Sequence, residues 1–343
     1  MKKKLLGIID ATIYHKELEE LLAHRSLAAL PFGGRYRIID FVLSNMVNSG
    51  IISVAIFPKL QYRSLMDHLE SGKNWGLNRK RDGLFFLPSP HIDIDQNQNG
   101  SFHAFAANLD FFRRSCQKYT LITNCNTVFN MNFRQLLERH IKSGCDITEV
   151  HHQDGRSLGM YVLKTSLLIE LIQTRHKLGY TCMEDVVNDI RHHYDVSRYL
   201  YNGYAIMIDS IQTYFSTSME LLQSDIWNRL FFKEQPIFTK VKDEPPTRYM
   251  RDSLVRNSMI ANGCIIHGQI ENSIISRGVK IGKGSIIKNC IVMQKTQIEN
   301  NCLLDSVILD KDVKVEAGTI LTGTAHNPYV IRKGTIQGAL MNS

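Results

Sequence analysis

Long hydrophobic runs are absent from this 343-residue sequence. Every apolar stretch is shorter than the roughly 20 residues that a membrane-spanning helix needs, so we expect no membrane segment and no membrane partner. The start, MKKKLLGII, imitates a signal peptide, but its apolar stretch ends at Asp10 after about five residues, short of the roughly 7–15 of a signal-peptide core. We interpret it as a basic N-terminus followed by a first buried strand.

Paired cysteines are absent as well. The seven cysteines are odd in number, form no C-x-x-C pair and lie in apolar or periodic segments, which favours reduced thiols in a cytoplasmic protein. The histidine pairs His151–His152 and His192–His193 are adjacent in sequence, so their side chains point to different sides of a strand or helix. We therefore expect no metal site at either pair.

Concentrated positive charge is also rare, although the net charge is +8. The basic residues are spread along the chain except at Lys2–Lys4 and Arg79–Arg81, and no aromatic residues alternate with them. This pattern argues against a nucleic-acid partner. Two interpretations stay open: sites for small anions such as phosphosugars, or a basic surface that is merely solvated.

Short apolar strands alternate with helical patterns over residues 1–242. The pattern predicts strands at 5–9, 52–57 and 121–122 and helices at 101–116 and 132–143. Tandem glycines at Gly33 and Gly34 suit a tight turn, and apolar residues at helical spacing follow Arg37, which predicts a loop and then a helix. The alternation indicates an α/β domain with a mostly parallel, Rossmann-like sheet, in which ligands bind at the carboxyl ends of strands.

The composition changes at Asp243-Glu244-Pro245-Pro246, and we predict a linker at 243–251. Beyond it, similar tetrads begin at Asn257, Asn272, Asn289 and Asp305, and hexads led by an aliphatic residue begin every 17 residues at Ile281, Ile298 and Val315. Six-residue units with a period near 18 are typical of a left-handed parallel β-helix. We predict about four coils with a C-terminal tail over 252–343, and we expect another domain or subunit to cover the open ends.

Several segments resemble the ADP-glucose pyrophosphorylase family, the enzymes that make the glucosyl donor for glycogen and starch. The resemblance rests on PFGGRYRIIDFVLSN from Pro31, on Leu60 to Pro88, on Asn108 to Arg114, on SLGMYVL from Ser157, and on the C-terminal repeats. It covers most of the chain. It implies a nucleotidyltransferase-like domain followed by a left-handed β-helix, assembly as a tetramer, and adenylyl transfer from ATP to glucose-1-phosphate with magnesium.

The sequence departs from this family where the chemistry belongs. No glycine stands between Gly7 and Gly33, where the family has a glycine-rich nucleotide loop, and the segment with the sugar-phosphate lysine is missing after Glu149. Asn126 and Met207 occupy the places of the two magnesium-binding aspartates, and an amide is a much weaker magnesium ligand than a carboxylate. An upstream R-x-K-P element also lacks its lysine.

These losses resemble the regulatory, largely non-catalytic subunits of the family, which join a catalytic subunit in a hetero-tetramer. Such a subunit needs no tightly bound cofactor. The alternative is a weakly active glucose-1-phosphate adenylyltransferase in which Asp209 or Asp40 holds Mg²⁺. A third interpretation, an acyltransferase of the hexapeptide-repeat group, would depend on His267.

The resemblance also implies an allosteric site for an anionic effector, a phosphate or sugar phosphate. The retained signature loop contains Gly33, Gly34 and Arg35, and basic residues stand at matching effector positions: His24, Arg25, Arg37, Arg113 and Arg114. Arginines bind phosphate through paired hydrogen bonds. Alternatively, these residues form surface or interface salt bridges.

Overall fold

The structure is a computed structural model that describes residues 5–59, 61–88, 100–191 and 194–338. Its first part is an α/β domain with the strands β1 (Leu5–Ala11), β2 (Pro31–Phe32), β3 (Tyr36–Arg37), β4 (Ser53–Pro58), β5 (Gly83–Phe86), β6 (Tyr119–Asn124), β7 (Thr127–Phe129), β8 (Ile147–His152), β9 (Ser157–Lys164), β10 (Val196–Tyr201) and β11 (Ala205–Met207). Its helices are α1 (Glu19–Leu22), α2 (Ile38–Asn48), α3 (Arg63–Leu69), α4 (Ser101–Ala107), α5 (Leu109–Arg114), α6 (Phe133–Ser143), α7 (Thr165–Leu178), α8 (Met183–Asn188), α9 (Ile211–Glu220) and α10 (Ser224–Leu230). Short 3-10 turns occupy Lys16–Leu18, Leu27–Ala29 and Lys73–Trp75.

Seven strands form the central sheet in the order β10-β8-β9-β6-β1-β4-β5. Only β9 runs antiparallel to its neighbours, so the predicted mostly parallel sheet is confirmed. The predicted strands at 5–9, 52–57 and 121–122 are β1, β4 and β6, and the predicted helix at 132–143 is α6. The predicted helix at 101–116 is divided into α4 and α5, because the Asn108 side chain donates a hydrogen bond to the Ala104 carbonyl oxygen.

Helices cover both faces of this sheet. Apolar residues of α2 and α6 pack with Ile9 and Val54 on one face, whereas residues of α4, α5 and α7 pack with Ile8 and Phe57 on the other. All seven residues of β1 are buried, as expected for a parallel strand between two helical layers. Within the described residues no helix has the length and apolar character that crossing a membrane requires.

The second part is a parallel β-helix with the strands β12 (Arg248–Tyr249), β13 (Leu254–Arg256), β14 (Met259–Ile260), β15 (Ile265–Ile266), β16 (Gln269–Glu271), β17 (Ile274–Ile275), β18 (Lys280–Ile281), β19 (Ile286–Lys288), β20 (Ile291–Val292), β21 (Gln297–Ile298), β22 (Leu303–Asp305), β23 (Val307–Leu309), β24 (Lys314–Val315), β25 (Ile320–Thr322), β26 (Tyr329–Ile331) and β27 (Ile336–Gln337). Three parallel sheets run along it, and the hexad leaders Ile281, Ile298 and Val315 pair in register. This arrangement is that of the predicted left-handed β-helix.

The β-helix is longer than the sequence predicted. Its described strands make five coils of three strands each, followed by β27, instead of about four coils. The first strand, Arg248–Tyr249, lies inside the segment predicted as linker and pairs with Ile265–Ile266. The sequence did not reveal it because the first coil lacks the aliphatic-led hexad.

One sheet of the β-helix, β14-β17-β20-β23-β26, packs against the α/β domain. Ile291, Met293 and Ile308 from this sheet share an apolar cluster with Phe41 and Tyr214. Buried within the same interface, the Arg25 guanidinium donates hydrogen bonds of 2.7 and 2.9 Å to the two carboxylate oxygens of Asp310. The two parts of the molecule are therefore held together by an apolar contact and a bidentate ion pair.

Candidate functional site

The signature loop is a tight hairpin at the junction of the two parts. β2 and β3 pair antiparallel, and Gly33 and Gly34 form the turn with φ of +54° and +74°. These left-handed conformations favour glycine, which explains the tandem pair. Gly34 faces the β-helix, since a Cβ there would lie 3.6 Å from the Ile275 carbonyl oxygen. The predicted loop and helix are confirmed, and the loop contacts both parts.

Asp40 is hydrogen-bonded to the end of this hairpin. Its carboxylate accepts a 2.9 Å hydrogen bond from the Arg37 backbone N–H, and its other oxygen lies 2.6 Å from Nε2 of His68. Asp40 is fully buried, and burial lowers the pKa of His68. The carboxylate is committed to these two contacts, which argues against Asp40 as a ligand for Mg²⁺.

A buried carboxyl stands where a nucleotide loop would follow the first strand. Asp10, at the carboxyl end of β1, accepts hydrogen bonds from the backbone N–H (2.9 Å) and the hydroxyl (2.7 Å) of Thr12. Burial raises its pKa. A few residues on, Nε2 of His15 lies 3.3 Å from Nδ2 of Asn126. Side chains fill this position, and a buried carboxyl opposes a polyphosphate instead of binding it.

The structure brings together the two positions where the family holds its metal. β7 and β11 pair antiparallel, with Met207 opposite Thr127. Asn126 immediately precedes Thr127 in the chain. The Asn126 side chain is buried and donates a 3.1 Å hydrogen bond to the Ile208 carbonyl oxygen, while its own carbonyl oxygen Oδ1 has no hydrogen-bond partner among the described residues. One neutral amide oxygen does not fit Mg²⁺, which binds through carboxylates.

Asp209 is the carboxylate nearest in sequence to Met207, and the histidine pairs lie elsewhere in the chain. Asp209 lies beyond the end of β11, is exposed, and accepts a 2.8 Å hydrogen bond from the Thr213 hydroxyl. His151 and His152 lie in β8, whereas His192 and His193 are outside the described residues. Across the ranges that the structure describes, no three His, Cys, Asp or Glu side chains come together as a metal site.

A closed hairpin replaces the missing sugar-phosphate segment. The β8–β9 turn is short, with hydrogen bonds from the His152 N–H to Arg156 (2.8 Å) and from the Gly155 N–H to His152 (2.9 Å). At its base Glu149 accepts a 2.6 Å hydrogen bond from the Ser157 hydroxyl and lies 2.7 Å from Nε2 of His151. Glu149, the last residue before the missing segment, is therefore a satisfied carboxylate.

Positive charge is concentrated in another place, a small cleft between the signature hairpin and the β-helix. The cleft encloses about 170 Å³, and seven cations line it beside one carboxylate, that of Asp312. We call it the basic cleft and define it by these cations: Arg35, Arg37, Lys240, Lys242, Arg277, Lys295 and Lys311. Both parts of the molecule contribute, so the cleft exists only when they are packed together.

Neutral acceptors hold two arginines of the basic cleft, whereas Lys240 is paired with a carboxylate. Arg37 donates hydrogen bonds to the carbonyl oxygen (2.6 Å) and hydroxyl (2.8 Å) of Ser64, and Arg277 donates one of 3.1 Å to the Arg35 carbonyl oxygen. Lys240 forms a 2.5 Å ion pair with Glu70. Neutral acceptors fix the guanidinium groups without neutralising them.

Burial and mutual repulsion lower the pKa values in this cleft. Burial, followed by the charges of Arg37 and Arg25, lowers the pKa of Lys311 to about 7. Burial also lowers the pKa of Arg37 to about 10 and, together with the neighbouring cations, that of Lys242 and Arg277. Because the cations in this cleft repel one another, binding of an anion stabilises their charged forms and is favourable.

The structure does not unite the five basic residues predicted as one anion site. Arg37 lies in the basic cleft, but Arg25 is buried in the ion pair with Asp310, which is the interface alternative. His24 is exposed outside the cleft. Arg113 and Arg114 lie on α5, across the central sheet from α2, and Arg113 faces Asp110 at 3.5 Å.

Sequence reasoning missed the cations that the second part supplies to the cleft. Arg277 and Lys295 lie at the same corner of successive coils, one position apart in the repeat, and the Lys295 N–H donates to the Arg277 carbonyl oxygen. The repeat spacing contains this signal, since basic residues recur at one corner of the coil. His267 lies between β15 and β16 within a coil and on no projecting loop, so nothing supports the acyltransferase interpretation.

Comparison with known families agrees with the two-part architecture. The nucleotidyl transferase family matches residues 16–163, and the GlmU-like C-terminal hexapeptide family matches residues 245–327. The chain is 53% identical over 340 residues to the glycogen biosynthesis protein GlgD of Bacillus subtilis (strain 168), covering 99% of both chains. It is 56% identical to the protein of that name from Geobacillus stearothermophilus, over 100% of both chains.

More distant relatives carry the name of an enzyme. The chain is 26% identical over 338 residues to the glucose-1-phosphate adenylyltransferase of Clostridium perfringens (strain SM101 / Type A). That match covers 87% of this chain and 86% of the relative. The similarity therefore extends through both the α/β domain and the β-helix.

Proposed function

Because this chain belongs to the GlgD family of glycogen biosynthesis proteins, which is related to the glucose-1-phosphate adenylyltransferases, we propose that it is a regulatory, largely non-catalytic subunit of ADP-glucose pyrophosphorylase. It assembles with a catalytic subunit, as a hetero-tetramer, and changes that subunit's rate or substrate affinity. The catalytic subunit makes ADP-glucose from ATP and glucose-1-phosphate.

The observation that carries this proposal is that Asn126 and Met207, at neighbouring ends of the paired strands β7 and β11, have neutral side chains at the two positions that the resemblance assigns to metal-binding aspartates. A catalytic metal contributes several kcal/mol of transition-state stabilisation, and each 1.4 kcal/mol or so is tenfold in rate. The loss of both ligands, with a buried Asp10 in the nucleotide position, corresponds to at least about four orders of magnitude in rate. Adenylyl transfer by this chain alone is then negligible.

The same proposal gives the basic cleft a role. Its charge and size suit a phosphate or a phosphosugar, and its cations come from the signature hairpin, the 240–242 segment and the β-helix. An anion bound there would tighten the contact between the two parts, because it neutralises charges that repel one another across the interface. We infer that an anionic effector acts through this contact.

The test is ADP-glucose formation from ATP and glucose-1-phosphate with magnesium, for this protein alone, for a catalytic subunit alone and for their mixture. We expect no turnover above background from this chain alone, and a changed kcat or KM in the mixture. An unchanged mixture with no complex in gel filtration would overturn the regulatory role.

The second candidate function, a weakly active adenylyltransferase, now depends on Asp209. Substituting Asp209→Asn keeps the hydrogen bond from Thr213 possible and removes the carboxylate charge. Turnover by the isolated chain that disappears in this variant would establish the enzyme. The matched control is Asp225→Asn, an exposed acid at the start of α10.

A further inference from the structure

One sheet of the β-helix presents an apolar row to the outside. In the sheet β13-β16-β19-β22-β25, which we call the outer sheet, the middle residue of each strand points inward, as Ile287 and Leu304 do. The residues before them point outward and stack in register: Leu254, Gln269, Ile286, Leu303 and Ile320. Leu254, Leu303 and Ile320 are 44%, 39% and 61% exposed.

A charged row runs beside the apolar one. Two residues further along each strand, the outward side chains are those of Arg256, Glu271, Lys288 and Asp305, again in register. Their charges alternate from coil to coil: positive, negative, positive, negative. Lys288 and Glu271 lie 3.9 Å apart, and both remain about half exposed. The outer sheet thus combines exposed apolar side chains with a regular charge pattern, which is typical of an interface.

The row of four charges reads positive, negative, positive, negative. When it is placed against a copy of itself in reversed order, every charge meets one of opposite sign. When two outer sheets face each other across a two-fold axis parallel to the strands, the coil order of one copy is reversed relative to the other. The apolar rows then face each other, as do the charged rows. We propose that the outer sheet binds the outer sheet of a second copy of this chain, with the two β-helices antiparallel and the two-fold axis between β16 and β19.

The charges select this position of the axis. With the axis between β16 and β19, Arg256 faces the second copy's Asp305, and Glu271 faces its Lys288, so four ion pairs form. Leu254 then packs on the other copy's Leu303. If the axis passed through β19 itself, all five coils of one copy would face coils of the other. Lys288 would then face the second copy's Lys288, and Glu271 would face its Asp305. Like charges in direct opposition are unfavourable, so that register is excluded.

A parallel arrangement of the two β-helices fails either on charge or on closure. In the unshifted register each charged residue faces its own equivalent, so all four positions oppose like charges. A shift by one coil pairs three of the four charges, but it is not a two-fold operation and leaves both copies open to further addition. Only the reversed register pairs every charge with its opposite while keeping the apolar rows in contact.

The test uses the chain on its own, so its result is independent of any catalytic subunit. Wild type should sediment as a dimer that dissociates on dilution and more readily in high salt. Glu271→Lys and Lys288→Glu each turn two attractive pairs into repulsive ones, so each variant alone should dissociate at least about tenfold more readily. An equimolar mixture of the two variants should form a dimer again, because every facing pair is then of opposite sign.

Two controls separate the interface from local effects. The double variant E271K/K288E keeps opposite signs within the 271/288 pair and across all four facing pairs, while Arg256 and Asp305 each gain a like-charged neighbour within the chain. It should therefore dimerise, unlike either single variant. Lys314→Glu makes a matched change on a different sheet, where Lys314 lies 3.9 Å from Glu299, and should leave the dimer intact.

Three results would overturn the proposal. They are a monomeric wild type, single variants that still dimerise, or a mixture of the two variants that stays monomeric. A monomeric wild type whose binding to the catalytic subunit is lost in K288E would assign the outer sheet to that partner instead.

Discussion

Lys311 links the charge of the basic cleft to pH. Its pKa is lowered to about 7 in the folded protein, against 10.5 for the free side chain. Between these two values the unfolded chain binds a proton that the folded chain does not, so stability rises as pH rises through this range and is lowest below pH 7.

We therefore predict that the anion-free protein gains stability between pH 6.5 and pH 8.5, by about 1 kcal/mol after allowance for partial solvent exposure. Lys311→Met should remove most of this gain. Urea denaturation at both pH values measures it, with Lys314→Met, an exposed lysine of the β-helix, as control. A parallel pH dependence in wild type and K311M would contradict the role of Lys311.

The same residue makes anion binding depend on pH. Below pH 7 Lys311 is charged and attracts an anion, whereas above its pKa that charge is absent until the anion restores it. We predict that sulfate, which keeps its charge over this range, raises Tm more at pH 6 than at pH 8.5. Differential scanning fluorimetry with K311M should give a sulfate effect that is smaller and no longer changes with pH.

At the scale of elements, the signature hairpin connects the cleft to the β-helix. Gly34 adopts φ of +74° and faces Ile275. Its backbone conformation therefore determines the direction of the chain that carries Arg35 and Arg37 to the cleft. This hairpin keeps the nucleotidyltransferase-like signature, whereas Asn126 and Met207 carry no carboxylate. Its structural surroundings give a reason: it supplies cations to the cleft and contacts the second part.

We predict that Gly34→Ala costs about 1 kcal/mol of stability for the left-handed backbone and also weakens sulfate binding. Gly144→Ala is the matched control. Gly144 has φ of +73° with no atom within 4 Å of the added Cβ, and it ends α6 away from the cleft. Both variants should lose similar stability in urea, but only G34A should lose affinity for sulfate. Equal affinities would show that the hairpin conformation does not shape the cleft.

At the scale of the whole molecule, the ion pair of Arg25 with Asp310 fixes one part on the other. Both side chains are about 97–98% buried, so each depends on the other for its neutralisation. A broken buried pair leaves an uncompensated charge, which costs about 3–5 kcal/mol. The basic cleft lies across the same interface, so its shape also depends on the ion pair that holds the two parts together.

We predict that Asp310→Ala destabilises the protein by about 3–5 kcal/mol and weakens sulfate binding, because the interface loosens. Asp312→Ala, two residues on and exposed, should cost less than about 1 kcal/mol. The double variant R25M/D310L, which replaces both charges by apolar groups, should recover most of the stability. Calorimetry measures all three; an unaltered Tm in D310A would mean that the pair does not hold the interface.

The sequence by itself determined the elements and their order. Buried runs such as Leu5–Ala11 and the 17-residue recurrence of Ile281, Ile298 and Val315 are local patterns, and they were sufficient to predict the parallel sheet and the β-helix. The sequence also showed that Asn126 and Met207 carry no carboxylate at the positions that the resemblance assigns to metal ligands, because this depends on residue identity alone.

Only the tertiary structure decided how the charges are distributed. Arg25 and Arg37 are both conspicuous in sequence, yet one is neutralised by Asp310 across 285 residues and the other opens into the cleft beside Lys311. The alternating row on the outer sheet is likewise invisible until successive coils stack in register. Pairing between charges depends on distances set by packing of remote segments, and no local sequence pattern contains those distances.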